Sequence, residues 1–244
     1  MAAVLARIGE TDCEELGDGW LVQPVNAVTS FAYVAVGIAI AIVATRRVDR
    51  PLHSYVYAIS VAAIGLGSVA FHGPQPVGSR VMHDLPILIT AVYILCDDAA
   101  LLRPQFSSIL GAFGIGAVAA TALTIASPDA GAVATGVVLV AVGVAEVIIH
   151  RRRLRSRSGT GPSVLPWVIV GVALVAGASW LLGRTDGPAC DPGGILQFHG
   201  VWHAISSLLF GLWWWLAMGP GAPSGHRRRD SDRADAALQG RPRE

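Results

Sequence analysis

Two histidines lie four residues apart in the stretch FHGVWHAISS, inside a run that is otherwise apolar as far as Met218. At that spacing His199 and His203 share one helix face, one turn apart. Such a pair can chelate one ion, as the helical histidine pair of metalloproteases does. A second pair at the same spacing, Ser68 and His72, closes the run GLGSVAFH. Adding His72 makes three imidazoles, the number of protein ligands in catalytic zinc sites that keep a fourth position for water. Neutral imidazoles suit zinc better than calcium or magnesium. Bis-histidine haem does not suit a pair whose two rings approach from the same side. Asp84, in HDLPILIT, is the candidate general base for a water activated at such a site. Ser68 is the candidate hydrogen-bond donor to that water or to the developing oxyanion.

Each residue alone has a plainer reading. A single histidine in an apolar helix serves as a packing or relay group more often than as a ligand. The His199–His203 pair could make a polar helix–helix contact. Ser68 could bond back to the carbonyl of Ile64. Asp84 could cap a helix N-terminus, with Pro86 in the first turn.

What brings these residues together is the set of elements that carry them. The chain is 53% hydrophobic and 14% charged, with mean hydropathy +0.55. Ordinary soluble domains carry about 25% charged residues, so the composition is that of a membrane protein. Apolar runs of about 20 residues can cross a bilayer as helices. Seven occur, at roughly 25–44, 55–73, 83–102, 106–126, 131–149, 164–183 and 196–217. The expected fold is therefore an all-α, seven-transmembrane helix bundle over residues 1–218, followed by a disordered basic tail at 219–244. No basic segment followed by an apolar one opens the chain, so no cleaved signal peptide is expected.

All 18 basic residues are arginines, and 15 of them fall in alternate connections and the tail if the N-terminus is outside. Arg46, Arg47, Arg103, the run from Arg151 to Arg157 and the tail arginines then face inward, leaving Arg7, Arg80 and Arg184 outside. That bias sets the N-terminus outside and the C-terminus in the cytoplasm. The lack of lysine, with abundant Ala, Val, Gly and Arg, suggests GC-rich coding and a bacterial plasma membrane.

On this topology span two ends, and spans three and seven begin, at the outer face. His72 and Ser68, Asp84, and His199 and His203 then lie at one depth, with His83 just outside the span. That coincidence favours a site over the separate plain readings. Cys13 and Cys190 share the outside, so a disulfide between them is possible there. Asp97, Asp98 and Glu146 fall toward the opposite face, and Trp213, Trp214 and Trp215 read as an interfacial aromatic belt.

In order, spacing and topology, Ser68-x-x-x-His72, Asp84 and His199-x-x-x-His203 resemble the alkaline ceramidase family, within the superfamily of seven-helix membrane hydrolases that includes adiponectin-receptor-like proteins. The stretch QPVNAVTSFAYV resembles the family's opening of span one, an acidic residue or glutamine and then x-x-Asn-x-x-Ser. The resemblance covers all seven spans, and the outside N-terminus favours the ceramidase branch. It implies that His72, His199 and His203 bind Zn2+, that Asp84 takes the proton of the attacking water, and that Ser68 contacts the water or the oxyanion. The implied substrate is a membrane lipid, ceramide, cleaved to a sphingoid base and a fatty acid. Eukaryotic members carry an outer Asp-Trp-Cys-Glu-x-Asn stretch and a later Glu that hold Ca2+. Here Thr11, Asp12, Cys13, Glu14, Glu15 and Leu16 stand there, with Gln23 later. Only Cys13 and Glu14 persist, so the Ca2+ set is not carried over. Two other functions fit the same helices: a seven-helix receptor or proton-relay protein with a structural metal site, and a hydrolase of another N-acyl lipid. Nothing points to nucleic acid.

Overall fold

The computed structural model describes residues 9–47, 51–103, 108–156 and 165–220. The expected basic tail from residue 221, along with Arg7, Arg50 and Arg157, lies outside the described residues. Those residues form α1 (Pro24–Thr29), α2 (Phe31–Arg47), α3 (Pro51–His72), α4 (Ser79–Leu102), α5 (Ile109–Ala126), α6 (Pro128–Ser156), α7 (Leu165–Leu182) and α8 (Phe198–Ala217). Each expected apolar run coincides, over most of its described residues, with one of these helices or, for the first run, with α1 and α2. Among the described residues, five segments are long and apolar enough to cross a membrane: Pro24–Arg46, Pro51–His72, Ser79–Leu102, Ile109–Ala126 and Pro128–Arg152. Trp167–Leu182 is a shorter apolar helix.

Local chemistry explains the boundaries. Pro24, Pro51 and Pro128 stand at helix starts, where the missing N–H leaves no bond unmade. The Ser108 and Ser127 hydroxyls accept from Gly111 N and Ala130 N and cap α5 and α6. The first expected span divides into α1 and α2 at Ser30, whose hydroxyl donates back to the Asn26 carbonyl at 2.6 Å.

α4 begins four residues before the expected span, after Gly78 in a left-handed turn (φ +83°). Asp84 is therefore in the second turn rather than at the N-cap, and Pro86 lies inside the helix. Pro86 leaves the Met82 carbonyl without its helical donor. That carbonyl faces α3 at Gly67, where a Cβ would sit only 1.8 Å from Met82 O. The absent side chain at Gly67 thus lets α3 and α4 meet backbone to backbone, five residues before His72.

α2 packs on α3 and α8, α3 on α4, α4 on α5 and α6, and α7 on α8, while α1 lies against α3 and α8. Large apolar side chains of the peripheral helices, including Ile115, Val118, Val137, Val140 and Leu174, face outward, as a membrane-embedded bundle requires. The core cluster lies toward the end of the bundle away from His72. There Tyr57 stacks on Tyr93 and Trp213 with centroids 5.6 and 5.0 Å apart. The expected aromatic belt is corrected here, because Trp213 and Trp214 are buried and only Trp215 is exposed. The reason is their indole N–H groups, which find partners on neighbouring helices: Trp213 donates to the half-buried Glu146 Oε1 at 2.6 Å and Trp214 to the buried Ser54 Oγ at 3.0 Å.

Candidate metal centre

His72 ends α3, and His199 and His203 occupy the first two turns of α8. All three are buried, and one nitrogen from each lies within 4.8 Å of the other two. Among the described residues this set comprises three histidines and no carboxylate. Ring centroids are 5.0 Å apart for His72–His199, 5.2 Å for His72–His203 and 4.6 Å for His199–His203.

The neighbours decide which nitrogen each ring offers. His72 Nδ1 lies 2.7 Å from Gln23 Oε1. The Gln23 amide is oriented by Nε2, which donates to the carbonyls of Gly9 and Glu14 at 3.1 and 2.8 Å. An amide oxygen only accepts, so His72 Nδ1 carries the proton and Nε2 the lone pair. His203 Nδ1 lies 3.1 Å from the Asn26 carbonyl, with Thr29 Oγ1 and Ser30 Oγ at 3.2 and 3.3 Å. The carbonyl again assigns the proton to Nδ1. His199 Nδ1 stands 3.2 Å from the buried Asp12 Oδ1, at ion-pair distance though outside hydrogen-bond alignment. Nε2 is therefore the lone-pair nitrogen of His72 and His203, while His72 Nε2 and both ring nitrogens of His199 are buried without a protein hydrogen-bond partner. Buried polar atoms without partners are costly, and a divalent cation would satisfy them. The donor set fits zinc.

Ser68 Oγ lies 3.4 Å from His203 Nε2 and 2.8 Å from Ser30 Oγ. Its partners are thus on the α1–α2 junction and on α8 rather than at the Ile64 carbonyl, because one hydroxyl and one imidazole face it in the closely packed interior. Asp84 is placed differently. Its Oδ1 takes the His83 Nδ1 contact at 2.7 Å, and Arg80 Nε lies 3.7 Å from Oδ2. Arg80 also pairs with Asp129 at the start of α6. Asp84 approaches the triad through the His83 ring, whose centroid is 5.9 Å from that of His72.

Sequence reasoning missed what the segment before α1 does here: it supplies the partners of two of the three histidines, Gln23 for His72 and Asp12 for His199. Cys13 and Cys190 form a disulfide, so the pairing possible on topology is present. Beside it, Cys13 N donates to Gly183 O at 2.9 Å, Thr185 N to Thr11 O at 3.1 Å and Glu15 N to Pro192 O at 3.0 Å. Asp12 and Arg184 form an antiparallel bridge. Glu14 uses both carboxylate oxygens to accept from Val25 N and Asn26 N, at 2.7 and 2.8 Å, at the head of α1. Burial raises its carboxyl above the ordinary value against those two donors. Burial likewise pushes Asp12 up to about 6, with the Arg184 guanidinium pulling the other way. The sequence marks Cys13, Glu14 and Gln23 through the family resemblance, but carries no signal that Asp12 faces His199 or that Gln23 faces His72.

Compared one by one with curated proteins, the sequence matches none. The Ceramidase family model, by contrast, matches residues 21–219, from just before α1 to just past α8, and so spans all three histidines, Ser68 and Asp84. The chain belongs to the ceramidase family.

Proposed function

We propose that this protein is a zinc-dependent intramembrane amide hydrolase that cleaves a ceramide-like N-acyl lipid to a sphingoid base and a fatty acid. The observation that carries this reading is the buried convergence of His72, His199 and His203, inside a helical bundle of a hydrolase family. When bound, zinc would supply a water acidic enough to attack near neutral pH and a Lewis acid for the amide carbonyl. His72 and His203 offer Nε2 to the ion because their Nδ1 atoms face the Gln23 and Asn26 oxygens, and His199 completes the set. Asp84 takes the proton of the attacking water and returns it to the leaving amine, while His83 and Arg80 hold its carboxylate. The Ser68 hydroxyl donates to the oxyanion that develops on the carbonyl oxygen. All seven expected runs cross the bilayer, with the N-terminus and the disulfide outside. The site then lies in the outer part of the membrane, where the substrate's acyl chains remain in lipid.

Purified protein should contain about one zinc per chain and release fatty acid from ceramide in detergent or vesicles. His203→Ala should lose both the metal and the hydrolysis, whereas Asp84→Asn should keep the metal and lose most turnover. Full activity in metal-free His203→Ala protein would refute the reading. A panel of N-acyl lipids then selects among amide substrates.

A further inference from the structure

The segment ahead of α1 delivers one buried carboxylate to the back of a metal-site histidine. Asp12 is 6% exposed, and its Oδ1 stands 3.2 Å from His199 Nδ1. Its main chain is held on several sides. Asp12 N donates to Gly9 O at 3.0 Å, Thr185 Oγ1 donates to Asp12 O at 3.0 Å, and the bridge to Arg184 joins it to the chain between α7 and α8. The Cys13–Cys190 disulfide ties the next residue to that same connection. Gly183 lies where these parts meet, because a Cβ there would be 2.4 Å from His199 N. Segment, α7 end and α8 start are thus in mutual backbone contact, so Asp12 has little freedom to leave His199.

Imidazoles that ligate metals usually donate their second ring N–H to a carboxylate or carbonyl, which sets the tautomer, orients the ring and raises its basicity. His72 and His203 use the neutral oxygens of Gln23 and Asn26. His199 faces a carboxylate 3.2 Å from Nδ1, near enough for a hydrogen bond although the two are out of alignment here.

We propose that Asp12 is the positioning residue for His199: its carboxylate accepts the Nδ1 proton and holds Nε2 toward the metal. The proposal rests on the triad holding a divalent cation, and Asp12 stands behind the triad rather than in it. The competing role is structural. Arg184 Nη1 lies 3.6 Å from the same oxygen, so Asp12 could serve only to pair that arginine.

Zinc affinity, measured by chelator competition on the full chain in detergent, separates these roles. Asp12→Asn keeps shape and size but removes the charge, and is expected to weaken zinc binding by about 10- to 100-fold, the range for loss of such a partner. The cobalt-loaded variant should show altered visible absorption bands, and mass spectrometry should show the disulfide intact. Arg184→Gln, which removes the alternative partner, should leave affinity within about threefold. In a His199→Ala background, Asp12→Asn should have no further effect. Asp12→Ala replaces Asp12→Asn if the latter fails to fold. Unchanged affinity and cobalt spectrum would overturn the proposal, as would an equal loss in Arg184→Gln or a full loss persisting without His199. Wild-type protein that binds no zinc would overturn the metal-centre reading itself, which is a different result from zinc binding indifferent to Asp12.

Discussion

The Gln23 side chain has one orientation open to it, and that orientation decides the tautomer of His72. With Nε2 donating to Gly9 O and Glu14 O, Oε1 is left 2.7 Å from His72 Nδ1. A side chain 49 positions away in sequence thus sets which lone pair His72 presents.

Gln23→Ala should therefore weaken zinc binding by about 10- to 100-fold with little change in the substrate KM at saturating metal. Gln23→Glu should be worse for folding. It would set a buried carboxylate oxygen against two carbonyls, and lost partners plus an uncompensated charge cost about 3–5 kcal/mol. Thermal unfolding in detergent checks the second outcome, and a metal titration the first.

Gly67→Ala should destabilise the bundle by about 3 kcal/mol or more, because the added methyl would lie 1.8 Å from the Met82 carbonyl and must push α3 from α4. The same shift displaces His72 and Ser68, so zinc content should fall together with the melting temperature. Ser60→Ala, on the same helix, should leave both close to wild type.

Replacing Cys13 and Cys190 together with serine should lower stability by about 2–5 kcal/mol, since the bridge closes residues 177 apart in sequence. Because the bridged segment carries Asp12, Glu14 and the carbonyls that orient Gln23, zinc affinity should fall as well. Chelator competition with and without reductant measures this in the unmodified chain.

Ser68→Ala should retain zinc, because the hydroxyl is no ligand in this reading, and lose about 100-fold or more in kcat, the scale of one oxyanion donor. Comparable losses of zinc and of rate would place Ser68 in the metal's support instead.

Trp213→Phe should cost about 1–3 kcal/mol, since Glu146 loses the indole donor at 2.6 Å. The change lies among the core aromatics around Tyr57 rather than at the triad, so kcat and zinc content should hold while the melting temperature drops.

Much of this protein was legible in its sequence, for two physical reasons. Apolar runs of bilayer length can satisfy their backbone only as helices, so the element order followed from composition. Histidines and a serine at i,i+4 spacing must share a helix face, so His199 with His203 and Ser68 with His72 came as pairs. Alternation of the arginines with the connections sets the end of α3 and the start of α8 on one face of the expected bundle.

What only the tertiary structure decided lies where the chain is irregular or where a polar atom chooses among neighbours. Residues 9–23 have no period, so nothing local said that Asp12 would reach His199 or Gln23 His72. Those contacts depend on where the disulfide and the bridge to Arg184 hold the segment. Pro86 read as a first-turn proline, yet Gly78 starts α4 earlier and Gly67 receives the carbonyl that Pro86 leaves free. Ser68 turned from the Ile64 carbonyl to Ser30 and His203, and two of three tryptophans turned from the expected interface to Glu146 and Ser54. Helix periodicity determines which face a residue occupies. Which buried partner satisfies its polar atom is set by close packing across helices, and sequence spacing does not encode that.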